Sequence, residues 1–338
     1  MDKKIKVGIL GAGRIGKLHA ENVAYRIPMM EIKTIADPYM NEGMEAWARG
    51  IGVDNVTKDP QEVFGDPEID AVLICSSTDT HAEFIMKAAE AGKHIFCEKP
   101  VDHDVDQINR ALKAVEVAGV KLQIGFVRRF DHNHKKVRDM VQGGKIGAPH
   151  TIKITSRDPE PPPIEYVKVS GGLFFDMMIH DFDMARYLSG SEVVEVYAKA
   201  AVLIDPAIGE AGDVDTAVVT LQFANGAIGI IDNSRSSTYG YDQRVEVHGS
   251  KGCVQDFNDL PSTTILTTKE GVLGDPPKWF FLERYNEAFA EELIAFADAI
   301  NGDKEPVVNG ADGLKPVLIA EAANISLREG RPVRLDEL

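Results

Sequence analysis

Short apolar runs alternate with amphipathic stretches from residue 6 to about residue 125. The runs at 6–10, 32–36, 71–74, 94–97 and 122–125 have strand length, and 15–25, 80–91 and 105–118 carry helical spacing. Strand and helix in alternation predict a parallel sheet with right-handed crossovers. A ligand of such a sheet binds at the carboxyl ends of its strands, where the strand order reverses. After about Pro149 the texture changes, and strand-like runs follow one another at 151–156, 193–204, 214–223, 227–233, 244–248 and 263–268. Ala224-Asn225-Gly226 and Gly249-Ser250-Lys251-Gly252 supply turns between them, which predicts an antiparallel sheet. One helix at 172–188 interrupts these strands, and two more, near 283–300 and 310–328, follow them. Pro159-Glu160-Pro161-Pro162-Pro163 can be neither helix nor central strand and reads as a stiff loop.

With 338 residues the chain suits two domains, expected at 1–125 and 126–338, with the last helix free to pack back on the first. Hydrophobic content of 44% with 27% charged residues is globular composition. The formal charge of −16 repels phosphate backbones and anionic lipid, so nucleic acid and membrane are poor partners. The apolar run at 5–10 is too short for a signal peptide, and a cytoplasmic location is expected. Three cysteines stand at no metal-ligand spacing; Cys75 and Cys97, inside apolar runs, read as reduced core thiols. No metal is expected.

Gly11-Ala12-Gly13-Arg14-Ile15-Gly16 lies between a strand and a helix. Its glycines permit a tight turn, a close backbone approach to a pyrophosphate and close helix–strand packing. Free amides and the helix dipole then hold the phosphates. Asp37 ends the next strand roughly 20 residues past Gly16, the position of a ribose-binding acid. A carboxylate there accepts ribose hydroxyls and repels a 2′-phosphate, and Pro38 rather than arginine follows, so NAD is expected over NADP. Glu98-Lys99-Pro100 follows the strand at 94–97, where a cation can hold a substrate hydroxyl. A solvated lysine in a surface turn has the same pattern. Asp176 and His180 stand at i and i+4, with Asp183 three residues beyond His180, predicting one shared helix face. A carboxylate-assisted general base, a surface ion pair and, less well, a metal site all fit that spacing.

Together these residues resemble the glucose–fructose oxidoreductase / inositol dehydrogenase family (Gfo/Idh/MocA). Thr78-Asp79-Thr80-His81-Ala82, Glu98-Lys99-Pro100, Gly125-Phe126-Val127-Arg128-Arg129-Phe130-Asp131 and the Asp176/His180 pair carry the likeness. Ile154 to Pro159, Ser170-Gly171-Gly172, Ile179 to Arg186, Asn233-Ser234-Arg235 and Tyr239 to Arg244 narrow it to the inositol 2-dehydrogenase branch. The resemblance covers essentially the whole chain. It implies an α/β fold, with an N-terminal Rossmann dinucleotide-binding domain and a C-terminal α/β domain on a large, mainly antiparallel open sheet. It implies oxidation of one ring hydroxyl of myo-inositol to 2-keto-myo-inositol by hydride transfer to NAD. Lys99, Asp176 and His180 would be catalytic, His180 taking the hydroxyl proton, Lys99 binding the oxygen and Asp176 holding a second hydroxyl or orienting His180. Gly11, Ala12, Gly13, Arg14, Ile15, Asp37, Ser76, Ser77, His81, Glu98 and Lys99 would contact the cofactor. Arg128, Asp158 and Tyr239 would join the catalytic three as substrate contacts; Asp158 stands where some relatives carry Asn. A homodimer or homotetramer through the second sheet is implied, and apolar alternation at 194–203 and 217–223 is compatible with it. Another inositol isomer or sugar as substrate, or a non-catalytic NAD-binding sensor, are the alternatives on the same fold.

Overall fold

The computed structural model describes residues 4–338. The chain divides into two compact units, one running to Val127 and including Glu287–Lys315, the other comprising Arg128–Asn286 and Pro316–Leu338.

The first unit contains β1 (Ile5–Leu10), α1 (Arg14–Arg26), β2 (Met30–Ala36), α2 (Glu42–Gly50), β3 (Val56–Thr57), α3 (Gln61–Gly65), β4 (Ala71–Ile74), α4 (His81–Glu90), β5 (His94–Glu98), α5 (Val105–Ala118) and β6 (Leu122–Gly125). Among the described residues its strands form one parallel sheet in the order β3-β2-β1-β4-β5-β6. The order therefore reverses between β1 and β4, the place where such sheets take ligands. All four residues of β4 are buried, which is why it reads as an unbroken apolar run rather than an alternating one. α5 begins where the Asp104 side chain accepts two amides and ends at Gly119 in the left-handed region, at φ 66°.

The second unit contains α6 (His132–Gln142), β7 (Pro149–Arg157), α7 (Ile164–Val167), α8 (Gly172–Asp176), α9 (Ile179–Ser189), β8 (Val193–Ala201), α10 (Pro206–Glu210), β9 (Thr216–Phe223), β10 (Ile228–Ser234), β11 (Asp242–Gly249), β12 (Gly252–Gln255), the hairpin β13 (Ile265–Thr268) and β14 (Gly271–Gly274), and α11 (Phe281–Arg284). Along the chain there follow α12 (Asn286–Asn301), which belongs to the first unit, α13 (Gly310–Glu329), which begins in the first unit and ends in the second, and β15 (Val333–Arg334) of the second. Its main sheet runs β12-β11-β7-β10-β9-β8-β15, antiparallel throughout except for β7 beside β10. Alternation puts Ala217, Val219, Leu221 and Phe223 of β9 inward, against Phe182 and Leu188 of α9 and Ile319 and Ala323 of α13. The other face leaves Val218, Ile228 and Ile230 exposed.

Three expectations are corrected. The second domain was expected at 126–338 with only the last helix free to pack back on the first, but the returning segment is Glu287–Lys315, which holds α12 and only the start of the last helix. Leu293, Phe296 and Ala297 of α12 complete the core that contains Ile9, Leu73 and Phe96, so burial overrides sequence order. The single helix expected at 172–188 is two. The amides of Met177 and Met178 both bond the Leu173 carbonyl, at 3.1 and 2.9 Å, so the ladder falls out of phase and breaks between Asp176 and Ile179. The strand expected to reach residue 204 stops at Ala201, because the Asp215 carboxylate accepts the amides of Leu203, Ile204 and Asp205 and turns the chain.

Candidate active site

The glycine loop joins β1 to α1 at the switch point. Gly11 has φ +95°, and a Cβ there would stand 2.7 Å from the Cys75 carbonyl oxygen; one on Gly16 would stand 1.9 Å from the Gly11 oxygen. Both glycines are dictated by crowding within the protein. Gly13 differs: it is exposed, and nothing lies within 4 Å of a Cβ placed there. It is also the cap of α1, with no side-chain hydrogen bond and no acidic residue in the first turn, so the helix presents uncapped amides outward. Asp37 Oδ2 accepts the Ala12 amide at 2.7 Å and Oδ1 the Tyr39 amide at 2.8 Å. Those bonds pin the carboxylate beside the loop, with lone pairs left for ribose hydroxyls. An uncapped helix, an open glycine and an anchored acid fit a dinucleotide. Arg14 is exposed and Ile15 half-buried at the start of the same helix.

At the ends of β4 and β5, Ser76 Oγ and Thr80 Oγ1 lie 2.6 Å apart, and Ser77 is exposed. His81 is buried, with Nδ1 2.7 Å from the Pro100 carbonyl and Nε2 3.0 Å from the Ser76 carbonyl. Burial pushes its pKa down despite those bonds, so one ring nitrogen donates. The ring fills the space between the β4 and β5 ends and can tie one of these two carbonyls, a different task from the cofactor contact expected of it. Glu98 is turned inward on His19, 2.7 Å away, rather than outward to a ligand. Lys99, half-buried, comes next at the strand end.

In the second unit, Asp176 ends α8. Its Oδ1 accepts the Tyr166 hydroxyl at 2.8 Å and its Oδ2 accepts Arg235 Nη1 at 2.9 Å. His180 sits in the first turn of α9, beyond the break, so the shared face of one continuous helix is not what relates the two. Asp183, three residues after His180 in the same helix, makes a buried bidentate pair with Arg129, at 2.8 and 2.6 Å. Arg235 was not singled out as a site residue, yet it is the hub here. Its guanidinium is 2% exposed and also comes within 3.9 Å of Asp158 and of Asp213. The signal was available: Arg235 continues the inward phase of Gly229, Ile231 and Asn233 on β10, where a charged residue demands a partner. Loss of water, opposed by Arg235 and reinforced by the Asp176 charge, pushes Asp158 up to about 6.

Arg128, expected to touch substrate, is buried and bonds Asp181 Oδ1 at 2.6 Å, with Ser156 Oγ and the Tyr241 hydroxyl at 3.3 and 3.4 Å. Asn233 Nδ2 supplies the other Asp181 oxygen at 2.9 Å. This is an interior network, and the guanidinium is committed to it. Tyr239 is half exposed, and its hydroxyl donates to Asp242 at 2.6 Å while accepting from Arg157.

A second group unseen in the sequence joins Asp131, His134, Asp256 and Arg284. His134 Nε2 lies 3.3 Å from Asp256 Oδ2, and Nδ1 3.6 Å from Asp131 Oδ1. Burial pushes Asp256 up to about 7. It pushes His134 down to about 4, against the pull of Asp131. The folded state therefore keeps the Asp256 proton from pH 3.8 to about 7, and that contribution to stability fades as pH rises through the window. Only the unfolded state protonates His134 between about 4 and 6.5, so its contribution grows with pH there. The two slopes oppose one another. In Asp256→Asn only the histidine slope remains, and denaturant unfolding should show stability climbing more steeply with pH over that range than in the parent. Parallel pH profiles would refute this account.

Residues 5–126 match the oxidoreductase family with the NAD-binding Rossmann fold, and residues 134–255 match the GFO/IDH/MocA C-terminal domain. The chain is 53% identical to the "Uncharacterized oxidoreductase YrbE" of Bacillus subtilis (strain 168), over 99% of this chain and 98% of that one. Identity to the myo-inositol 2-dehydrogenase of Thermotoga maritima is 48%, covering 99% of both chains. The crystal structure of scyllo-inositol dehydrogenase from Lactobacillus casei, with bound NAD(H) and scyllo-inositol, is similar with a TM-score of 0.92 at 30% identity, covering 99% of this chain and 100% of the other. Among the described residues no helix is long and apolar enough to cross a membrane.

Proposed function

Because this chain belongs to the GFO/IDH/MocA oxidoreductase family, we propose that it oxidises one ring hydroxyl of myo-inositol to the 2-keto product with NAD. The observation that carries the substrate class is the acceptor set around Arg235. A cyclic polyol has no charge, so it is held by several directional hydrogen bonds rather than one ion pair. Asp176 is fixed in place by Tyr166 and Arg235 and offers an acceptor carboxylate, and Asp158 adds a second carboxyl group a quarter exposed to solvent.

When bound, NAD supplies the hydride acceptor. Gly11 to Ile15 hold its pyrophosphate through backbone amides, and Asp37 accepts from its ribose. His180 takes the proton of the reacting hydroxyl. Lys99 binds that oxygen and stabilises the negative charge developing on it. Arg128 acts at one remove, holding Asp181 and through it the first turn of α9. Tyr239, tied to Asp242 and Arg157, presents half of its ring to solvent as a further ring contact.

The test is a panel of myo-, scyllo- and D-chiro-inositol and D-glucose, each with NAD and with NADP, read by NADH or NADPH absorbance. The expected result is the highest kcat/KM for myo-inositol with NAD. Preference for NADP would sink the role given to Asp37. The Lactobacillus casei relative carries scyllo-inositol, so that isomer is the second reading, and the same panel decides it.

The exposed apolar positions Val218, Ile228 and Ile230 on the outer face of β9 and β10 support pairing of that face with a second copy, as a homodimer or homotetramer. Ile230→Asp should lower the mass seen by light scattering to that of a monomer. A parent protein already monomeric would exclude the pairing.

A further inference from the structure

His19, Glu98 and Glu292 meet in the interior of the first unit, where the proposed chemistry does not use them. His19 belongs to α1, Glu98 ends β5, and Glu292 belongs to α12. The reactive atoms of the three lie within 4.8 Å of one another. His19 Nε2 is 2.7 Å from Glu98 Oε1 and 3.9 Å from Glu292 Oε1, with the His19 and Glu292 side chains wholly buried. Both Glu292 oxygens lie in the interior without a hydrogen-bond partner. The Phe96 and Phe289 rings pack steeply against the imidazole, with centroids 5.1 and 5.8 Å away. Buried titratable groups that also feel this set are the thiols Cys75, beyond β4, and Cys97, on β5, and the imidazole of His81, which feels the Glu98 charge.

Two carboxylates so close in an apolar enclosure cannot both be ionised without a large electrostatic cost. Burial and the Glu98 charge raise Glu292 well above the carboxylate range, so it carries the proton as a neutral acid. Glu98 is then free to keep its bond to His19.

The location gives this a consequence. Glu98 is the last residue of β5 paired to β6, opposite Gly125, and Lys99 follows directly after it. What flanks Lys99 is a pair of side-chain anchors: Glu98 tied to His19 on one side, and the Pro100 carbonyl tied to His81 on the other. We propose that His19 and Glu292 are positioning residues of the dehydrogenase reaction, acting through Glu98 to hold the end of β5 and so the ammonium group of Lys99. The proposal rests on the role given to Lys99 above.

The experiment is a double-mutant cycle on the full-length enzyme, with the best inositol of the panel as substrate. Glu292→Leu and Glu292→Gln are each made with Lys99 and with Lys99→Met, and kcat, NAD affinity and melting temperature are measured. Glu292→Leu should lower kcat about tenfold when Lys99 is present, the scale of a small misplacement, and cause no further loss in Lys99→Met. Glu292→Gln, uncharged and nearly isosteric, should restore kcat to within about twofold while leaving NAD affinity unchanged. A role confined to stability would move the melting temperature and leave kcat additive across the cycle, which overturns the proposal while the Lys99 assignment stands. A Lys99→Met enzyme that turns over like the parent overturns that assignment, and the proposal with it. A stoichiometric divalent ion in the purified protein would mean that the three groups hold a metal rather than a proton, and would overturn the proposal too.

Discussion

His180→Ala is expected to lower kcat by about 10²–10⁴-fold, the contribution of one positioned base. NAD affinity should hardly change, because the glycine loop and Asp37 lie wholly within the first unit. His180 occupies the first turn of α9, directly before Asp181, whose two oxygens are taken by Arg128 and Asn233. That network holds the turn without the imidazole, so the fold should survive the substitution. Lys99→Ala should produce a loss of the same order, because it removes charge stabilisation rather than substrate affinity alone. Measuring kcat with myo-inositol beside NAD affinity by fluorescence titration separates the effects. Near-parental turnover in either variant would remove that residue from the mechanism.

Arg235→Leu should strongly destabilise the second unit. It strips the cation from Asp176, Asp158 and Asp213, and breaking a buried pair by removing one partner costs about 3–5 kcal/mol. The loss should also depend on pH. Asp158 sits at about 6 with Arg235 among the charges that hold it down, so removing the guanidinium lifts it further. An acid whose folded pKa is raised favours the folded state below its ordinary value and loses that advantage as pH rises through the folded value. Denaturant unfolding should therefore show a larger deficit for Arg235→Leu at pH 8 than at pH 5. A deficit under about 1 kcal/mol, the scale of an exposed ion pair, would mean that Arg235 is not the hub described.

Periodicity revealed the strands of the first unit to within about two residues, because each is an apolar run bounded by turn residues. It missed β3, a strand of two residues with no pattern to read. It also joined α8 to α9, since Met177 and Met178 are good helix formers and only the doubled bond to Leu173 marks the break. For the candidate site, Asp37 and the glycines were legible through spacing. The ties of Arg128 and Glu98 were not. Nothing in the neighbourhood of Arg128 reveals Asp181, and nothing near Glu98 reveals His19, because these partners are separated by 53 and 79 positions.

By itself the amino-acid sequence determined the order of strands and helices, the turn at Gly11 and the acid that ends β2. Each depends on backbone preference and on which residues repeat at two or at three to four positions, and both are properties of neighbours along the chain. Tertiary structure alone decided which charge faces which: Arg235 with Asp176, Arg129 with Asp183, and His19 with Glu98 in reach of Glu292. Those choices follow from strand order and register, such as β10 lying parallel to β7, and from α12 filling the core of the first sheet. A buried ion must take the partner the packing brings to it, since its solvation is gone and distant sequence becomes its surroundings.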